Sequence, residues 1–126
     1  MPFVHIHLRA GKKPEYVRAV ADGIHAALVS EANVPADDRF QVVHQFDENH
    51  FFYHPSYAGM ERTADLAIVE IVLNAGRTVE VKKALYAAIA KNLGRDPGLR
   101  PDDILISLVE VQKENWSFGK GLATYA

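Results

Sequence analysis

A proline in second position offers chemistry that no side chain supplies. A residue this small permits removal of the initiator methionine, and loss of Met1 leaves Pro2 with a free secondary amine. An α-amino group titrates near pKa about 7.7–8.0. Shifted down it serves as a general base, and shifted up as a general acid. It also forms an iminium with a carbonyl substrate. Many chains begin Met-Pro to no such end, so the setting decides. Arg77, in Asn74-Ala75-Gly76-Arg77, is a second candidate, because a guanidinium grips a carboxylate with two parallel N–H donors. Its ordinary alternative is a solvated residue at a helix start, where a cation meets the unfavourable end of the helix dipole. Asp38 is placed to hold a charged proline amine or orient a water; otherwise it is a turn aspartate. Trp116 and Phe118 suit a dry pocket wall or a subunit contact.

The bulk properties narrow the setting. At 126 residues the chain suits one domain, 1–126, burying roughly two-thirds of its unfolded surface. A net charge of -2 with no basic stripe argues against nucleic acid and anionic membranes as partners. The absence of cysteine removes disulfides, thiolate catalysis and zinc–sulfur sites. No run approaches the roughly 18 apolar residues that span a bilayer, and the first residues carry no signal-peptide core. A cytoplasmic location is expected.

Sliding the sequence along itself by 65 residues sets Gly11-Lys12 on Gly76-Arg77, Glu15 on Glu80, Ala19 on Ala84, Ile24 on Ile89 and Leu28 on Leu93. At the same shift Phe3 to Leu8 falls on Ile68 to Leu73. With one further residue, Pro35 to Asp38 meets Pro101 to Asp103. The spacing predicts two units, 1–46 and 66–111, followed by a tail, 112–126.

Each unit reads as strand, helix, strand. Residues 3–9 alternate as a strand does, and Pro14 opens a helix whose apolar residues Val17, Val20, Ala21, Ile24, Ala27 and Leu28 recur at helical spacing. Phe40 to Phe46 forms the return strand. In the second unit 67–73 is a strand, 78–93 a helix and 104–111 a strand. Such units make parallel pairs with right-handed crossovers. The predicted class is α/β (α+β), a duplicated β-α-β unit forming a four-stranded, largely parallel sheet with two helices on one face. The strands are apolar on both faces, so the uncovered face predicts an oligomer.

Other segments leave alternatives open. His50 to Asp65 is aromatic-rich, either a crossover loop or a pocket wall. His5 and His7 point the same way on one strand, with His44 on another, and three imidazoles suffice for a metal site. No carboxylate is spaced with them, so no metal is expected. The aromatic tail predicts docking, on its own chain or on a neighbouring subunit.

Several motifs now stand in a fixed order: Pro2 after Met1, Val34-Pro35-Ala36-Asp37-Asp38-Arg39-Phe40-Gln41, Gly76-Arg77-Thr78, and Asn115-Trp116-Ser117-Phe118-Gly119. Together they resemble the tautomerase superfamily, specifically its malonate semialdehyde decarboxylase-like group, relatives of 4-oxalocrotonate tautomerase, over essentially the whole chain. The resemblance implies a tautomerase/MIF-like fold, a homotrimer, no cofactor, and catalysis by the amino-terminal proline on a small carboxylate substrate. It implies that Pro2 is the acid–base group, that Asp38 tunes it or places a water, that Arg77 binds the carboxylate, and that Trp116 and Phe118 line the pocket. Some decarboxylase members carry two arginines before the second helix, one residue apart, where this chain has Arg77 alone. Tautomerisation of a 2-oxo acid is therefore ranked first and decarboxylation or hydration second. A trimeric binding protein without activity stands as the third reading.

Overall fold

A computed structural model describes residues 2–125; Met1 and Ala126 lie outside the described residues. Four strands and two long helices alternate as β1 (Phe3–Arg9), α1 (Pro14–Glu31), β2 (Gln41–Phe46), β3 (Ala67–Asn74), α2 (Val79–Arg95) and β4 (Ile104–Val111), with short helical turns between. The β1 alternation places Val4, Ile6 and Leu8 in the core and leaves Phe3, His5, His7 and Arg9 half-buried on the other face. α1 begins at Pro14, whose missing N–H costs nothing in a first turn. Its stripe Val20, Ala21, Ile24, Ala27 and Leu28 is buried.

α2 is capped by Thr78, whose hydroxyl accepts from the Val81 N–H at 3.2 Å. It buries Leu85, Ile89 and Leu93. The helices lie side by side on the same face, in closest approach at Gly23. A Cβ there would stand 2.9 Å from Leu93 Cδ2, and the Asn92 amide donates to the Gly23 carbonyl at 3.0 Å. Among the described residues no helix is long and apolar enough to cross a membrane.

The sheet order is β2-β1-β3-β4. Both outer pairs are parallel, Val4 opposite Gln41 and Val69 opposite Ile106, as strand–helix–strand units require. The central pair is antiparallel, with Phe3 opposite Val72 and Ile6 opposite Val69. The sheet is thus mixed, and the second unit runs head to tail with the first. β2 ends at the far end of the sheet and β3 starts there, on the other side of β1, so 50–65 crosses the end of β1, as the crossover-loop reading expects.

Phe51 of that segment is buried, packing its ring 6.2 Å from Phe46. Asp103, just before β4 and 1% exposed, holds the segment down by accepting from the Thr63 N–H at 2.7 Å and hydroxyl at 2.6 Å.

The face without helices carries Phe3, His5, His7, Val42, His44, Phe46, Ile68, Glu70, Val72, Leu105 and Val109 by register. The three imidazoles stack on it. His5 and His44 share a 3.0 Å hydrogen bond, and the His7 ring lies 5.0 Å from that of His44. Among the described residues no group of three acidic, histidine or cysteine side chains could hold a metal ion.

Burial, followed by His44 and His5, holds His7 below its ordinary value of 6.5, with Glu70 opposing. The folded protein therefore binds this proton less readily than the unfolded chain does. Full stability is present above about pH 6.5 and is lost as pH falls through that value towards the lowered one. Thermal melts are expected to fall by about 2 °C or more between pH 7.5 and 5.5. In His7→Gln the fall is expected to be smaller; an equal fall in both would show that His7 contributes nothing to it.

Candidate active site

The antiparallel centre of the sheet assembles one end of the molecule. β1 and β2 start there, while β3 and β4 finish there. Because each helix runs antiparallel to the strand before it, α1 also ends at this edge and α2 begins there. Pro2 is buried immediately ahead of β1, and the Val4 N–H donates to the Phe40 carbonyl at 2.9 Å, drawing the lead-in to β2 alongside. Past β4 the chain folds back through Trp116. These segments enclose a pocket of about 240 Å³ lined by Pro2, Phe3, Phe40, Trp116, Ser117 and Phe118. Its walls are chiefly aromatic, with Trp116 and Phe118 rings 5.7 Å apart and Phe118 edge-on to Tyr125 at 5.1 Å. Trp116 thus docks on its own chain.

Arg77 stands beside this pocket rather than in its lining. Its Nε and Nη2 donate to the Ala32 carbonyl at 3.1 and 3.0 Å, and its Nη1 donates to the Asn74 carbonyl at 3.1 Å. Ala32 closes the C-terminus of α1, whose last turn holds no basic residue of its own. The guanidinium therefore meets the favourable, negative end of one helix dipole while preceding the unfavourable end of another. Two of its five N–H groups remain for a ligand. The loop that carries it bends at Gly76, where φ is +125°, a conformation open to glycine. Nearby, Glu110 accepts from Lys82 Nζ at 2.8 Å, and this bond holds its carboxyl below the usual range.

The indole N–H of Trp116 donates to Asn74 Oδ1 at 2.7 Å. Asn74 so touches both the aromatic wall and the guanidinium. Asp38 closes the turn from Pro35 by donating its N–H to the Pro35 carbonyl at 3.0 Å. It is half-buried and lies two residues before Phe40, at the Pro2 end of the sheet but outside the pocket lining. The structure thus joins Pro2, Trp116 and Phe118 in one cavity, links Arg77 to Trp116 through Asn74, and leaves Asp38 outside the lining at the same end of the sheet. The segment 50–65, read as a possible wall, contributes none of the lining.

Phe3, Phe40, Ser117 and Asn74 escaped the sequence reading. The signal for Phe40 was present: it stands two residues after Asp38 in the motif and precedes a strand parallel to the one that begins after Pro2.

Among the described residues, the opposite end of the sheet repeats none of this arrangement. There β3 begins at Ala67, an internal residue whose nitrogen is an amide. Lys12, matching Arg77, is bound to Asp65, and Asp103 is committed to Thr63. Burial, with Asp65 and Asp103, pushes the nearby Tyr16 hydroxyl up to about 12.

A duplicated β-α-β protein with a proline at the pocket-side edge of its sheet belongs to a recognisable class. Tautomerase enzyme families match residues 38–119 and 2–60, and the chain belongs to the tautomerase superfamily. It is 44% identical to the probable tautomerase YusQ of Bacillus subtilis (strain 168) over 123 residues, covering 98% of this chain and 97% of the relative. Its fold is similar to that of malonate semialdehyde decarboxylase, studied as wild type, as an inactivated form and with its first proline replaced by alanine, in relation to decarboxylase and hydratase activities. The TM-score is 0.91 and the identity 29%, over 98% of this chain and 95% of the other. The wild-type symmetric trimer of a fused 4-OT shares the fold at a TM-score of 0.80 and 23% identity, over 98% and 97% of the two chains. The protein is an enzyme of the malonate semialdehyde decarboxylase-like group, an isomerase or a related decarboxylase.

Proposed function

We propose that this enzyme tautomerises a small 2-oxo acid and its enol, using the secondary amine of Pro2 once Met1 is removed. The observation that carries this reading is the placement of Pro2 in the wall of an aromatic pocket whose Trp116 is linked through Asn74 to the Arg77 guanidinium. The two uncommitted N–H groups of Arg77 take the substrate carboxylate as a bidentate pair. The planar enol then lies against Trp116 and Phe118. Apolar walls disfavour a charged amine, which suits Pro2 to accept the enol hydroxyl proton as a base. The ammonium so formed returns a proton to the neighbouring carbon, giving the ketone and restoring the neutral amine. No other acid–base group is needed for the proton count to close. Asp38 orients the amine in its cationic form, and no cofactor takes part.

The reading takes the chain as one domain of two related units acting in the cytoplasm. It acts as a homotrimer whose helix-free sheet faces pack together, which would cover the exposed Val42, Leu105 and Val109. The fused 4-OT relative is described as a trimer.

A second reading, decarboxylation or hydration with cationic Pro2 stabilising the developing enolate, draws on the similarity to malonate semialdehyde decarboxylase. Parallel assays with phenylenolpyruvate and malonate semialdehyde separate the two. Ketonisation of the first, with kcat/KM at least about 10⁴ M⁻¹ s⁻¹, is the expected result. Turnover of malonate semialdehyde alone would reverse the ranking.

A further inference from the structure

We infer that Asn74 is the positioning residue of this site, a neutral latch that sets the spacing between the Trp116 wall and the Arg77 cation. The inference rests on the catalytic reading above. Asn74 is the last residue of β3, paired with Val111 at the end of β4, so its backbone is held by the sheet. Its side-chain oxygen accepts from Trp116 Nε1 at 2.7 Å, while its own carbonyl accepts from Arg77 Nη1 at 3.1 Å. One rigid residue thereby fixes two groups that must meet the same substrate from different elements.

Trp116 depends on this contact. An indole N–H only donates, and when it is half-buried it needs an acceptor. The segment 116–125 has no strand or long helix. Among the described residues its other hydrogen bonds stay within 113–124: Trp116 to Lys113, Phe118 to Thr124, Leu122 to Gly119 and Thr124 to Leu122. The Asn74 contact is therefore what ties this wall to the sheet.

The residue type matters as well as its place. An aspartate would accept from the indole equally well, but its carboxylate would compete with substrate for the two free guanidinium N–H groups. An apolar residue would leave the indole without an acceptor. A neutral carbonyl oxygen satisfies both demands.

Trp116 is the single tryptophan of the chain, so its emission reports on the latch without interference. In Asn74→Ala the emission is expected to shift to the red and acrylamide quenching to increase. KM for phenylenolpyruvate is expected to rise about tenfold, the loss of one hydrogen bond, with kcat and its pH profile little changed because Pro2 is untouched. In Asn74→Asp the emission is expected to stay at its parental value while KM still rises. Trp116→Phe removes the N–H donor together with part of the aromatic wall, and once it is made, adding Asn74→Ala is expected to raise KM no further.

Parental emission in Asn74→Ala, a moved emission with unchanged KM, or full additivity in the double variant would each overturn the inference. If Asn74→Ala fails to fold, Trp116→Phe still decides: an unchanged KM overturns the latch. If the parent turns over no enol, phenylpyruvate binding read by Trp116 quenching replaces KM, so failure of the reaction and failure of the latch remain distinct.

Discussion

Replacing Pro2 by alanine is expected to lower kcat/KM for an enol 2-oxo acid by about 10²–10⁴-fold, the usual contribution of a positioned acid–base group. Alanine is also small, so removal of Met1 proceeds as before and the variant still ends in an amine. What it loses is the pyrrolidine ring, which fixes the nitrogen lone pair relative to the sheet edge and to the pocket walls of Phe3 and Phe40. A freely rotating primary amine retains basicity without orientation, and orientation is where most of the rate resides. Parental Trp116 emission and melting temperature in the variant would show that the loss is chemical rather than structural. Undiminished activity in Pro2→Ala would instead favour the reading as a binding protein that kept the fold.

The second large effect belongs to Arg77. Arg77→Ala is expected to reduce kcat/KM by about 10²–10³-fold. Two charge-assisted hydrogen bonds to the substrate carboxylate are lost, at about 1.5–3 kcal/mol each before partial replacement by water. It also strips the Ala32 carbonyl of two donors and the Asn74 carbonyl of one, so a stability loss of about 1–3 kcal/mol is expected beside the kinetic one. An enol substrate without the carboxylate separates these effects. Its turnover is expected to be nearly the same in parent and variant, provided both are measured below the melting transition. Arg77→Lys keeps the charge but not the planar fork, and is expected to recover only a small part of the activity. Equal losses on both substrates would mean that Arg77 acts only through the architecture of the loop.

The elements were legible because they obey simple periods. Val4, Ile6 and Leu8 alternate, and Val20, Ala21, Ile24, Ala27 and Leu28 follow helical spacing, and each set is buried as its period requires. The direction of β3 was not legible. A period of two reads the same in either sense, and a tandem repeat is compatible with units set side by side or head to tail. That missing fact hid how the site is assembled, since only the antiparallel β1–β3 pair brings Asn74 and Trp116 to the edge where Pro2 begins.

Pro2, Trp116 and Phe118 were found because their types are unusual in their places. Phe3 and Phe40 look like strand residues in a sequence, and Asn74 looks like the end of one. Arg77 stood out as a cation at the wrong end of α2. Its favourable partner, the C-terminus of α1, lies 45 residues away and is adjacent only in the folded chain.

The decisive measurement is the intact mass of the active, purified enzyme, followed by that of its first proteolytic peptide. The expected chain is lighter than the full sequence by one methionine and opens with an unblocked proline. Full turnover from a protein that still carries Met1, and so has an amide where the working amine should be, would contradict that expectation.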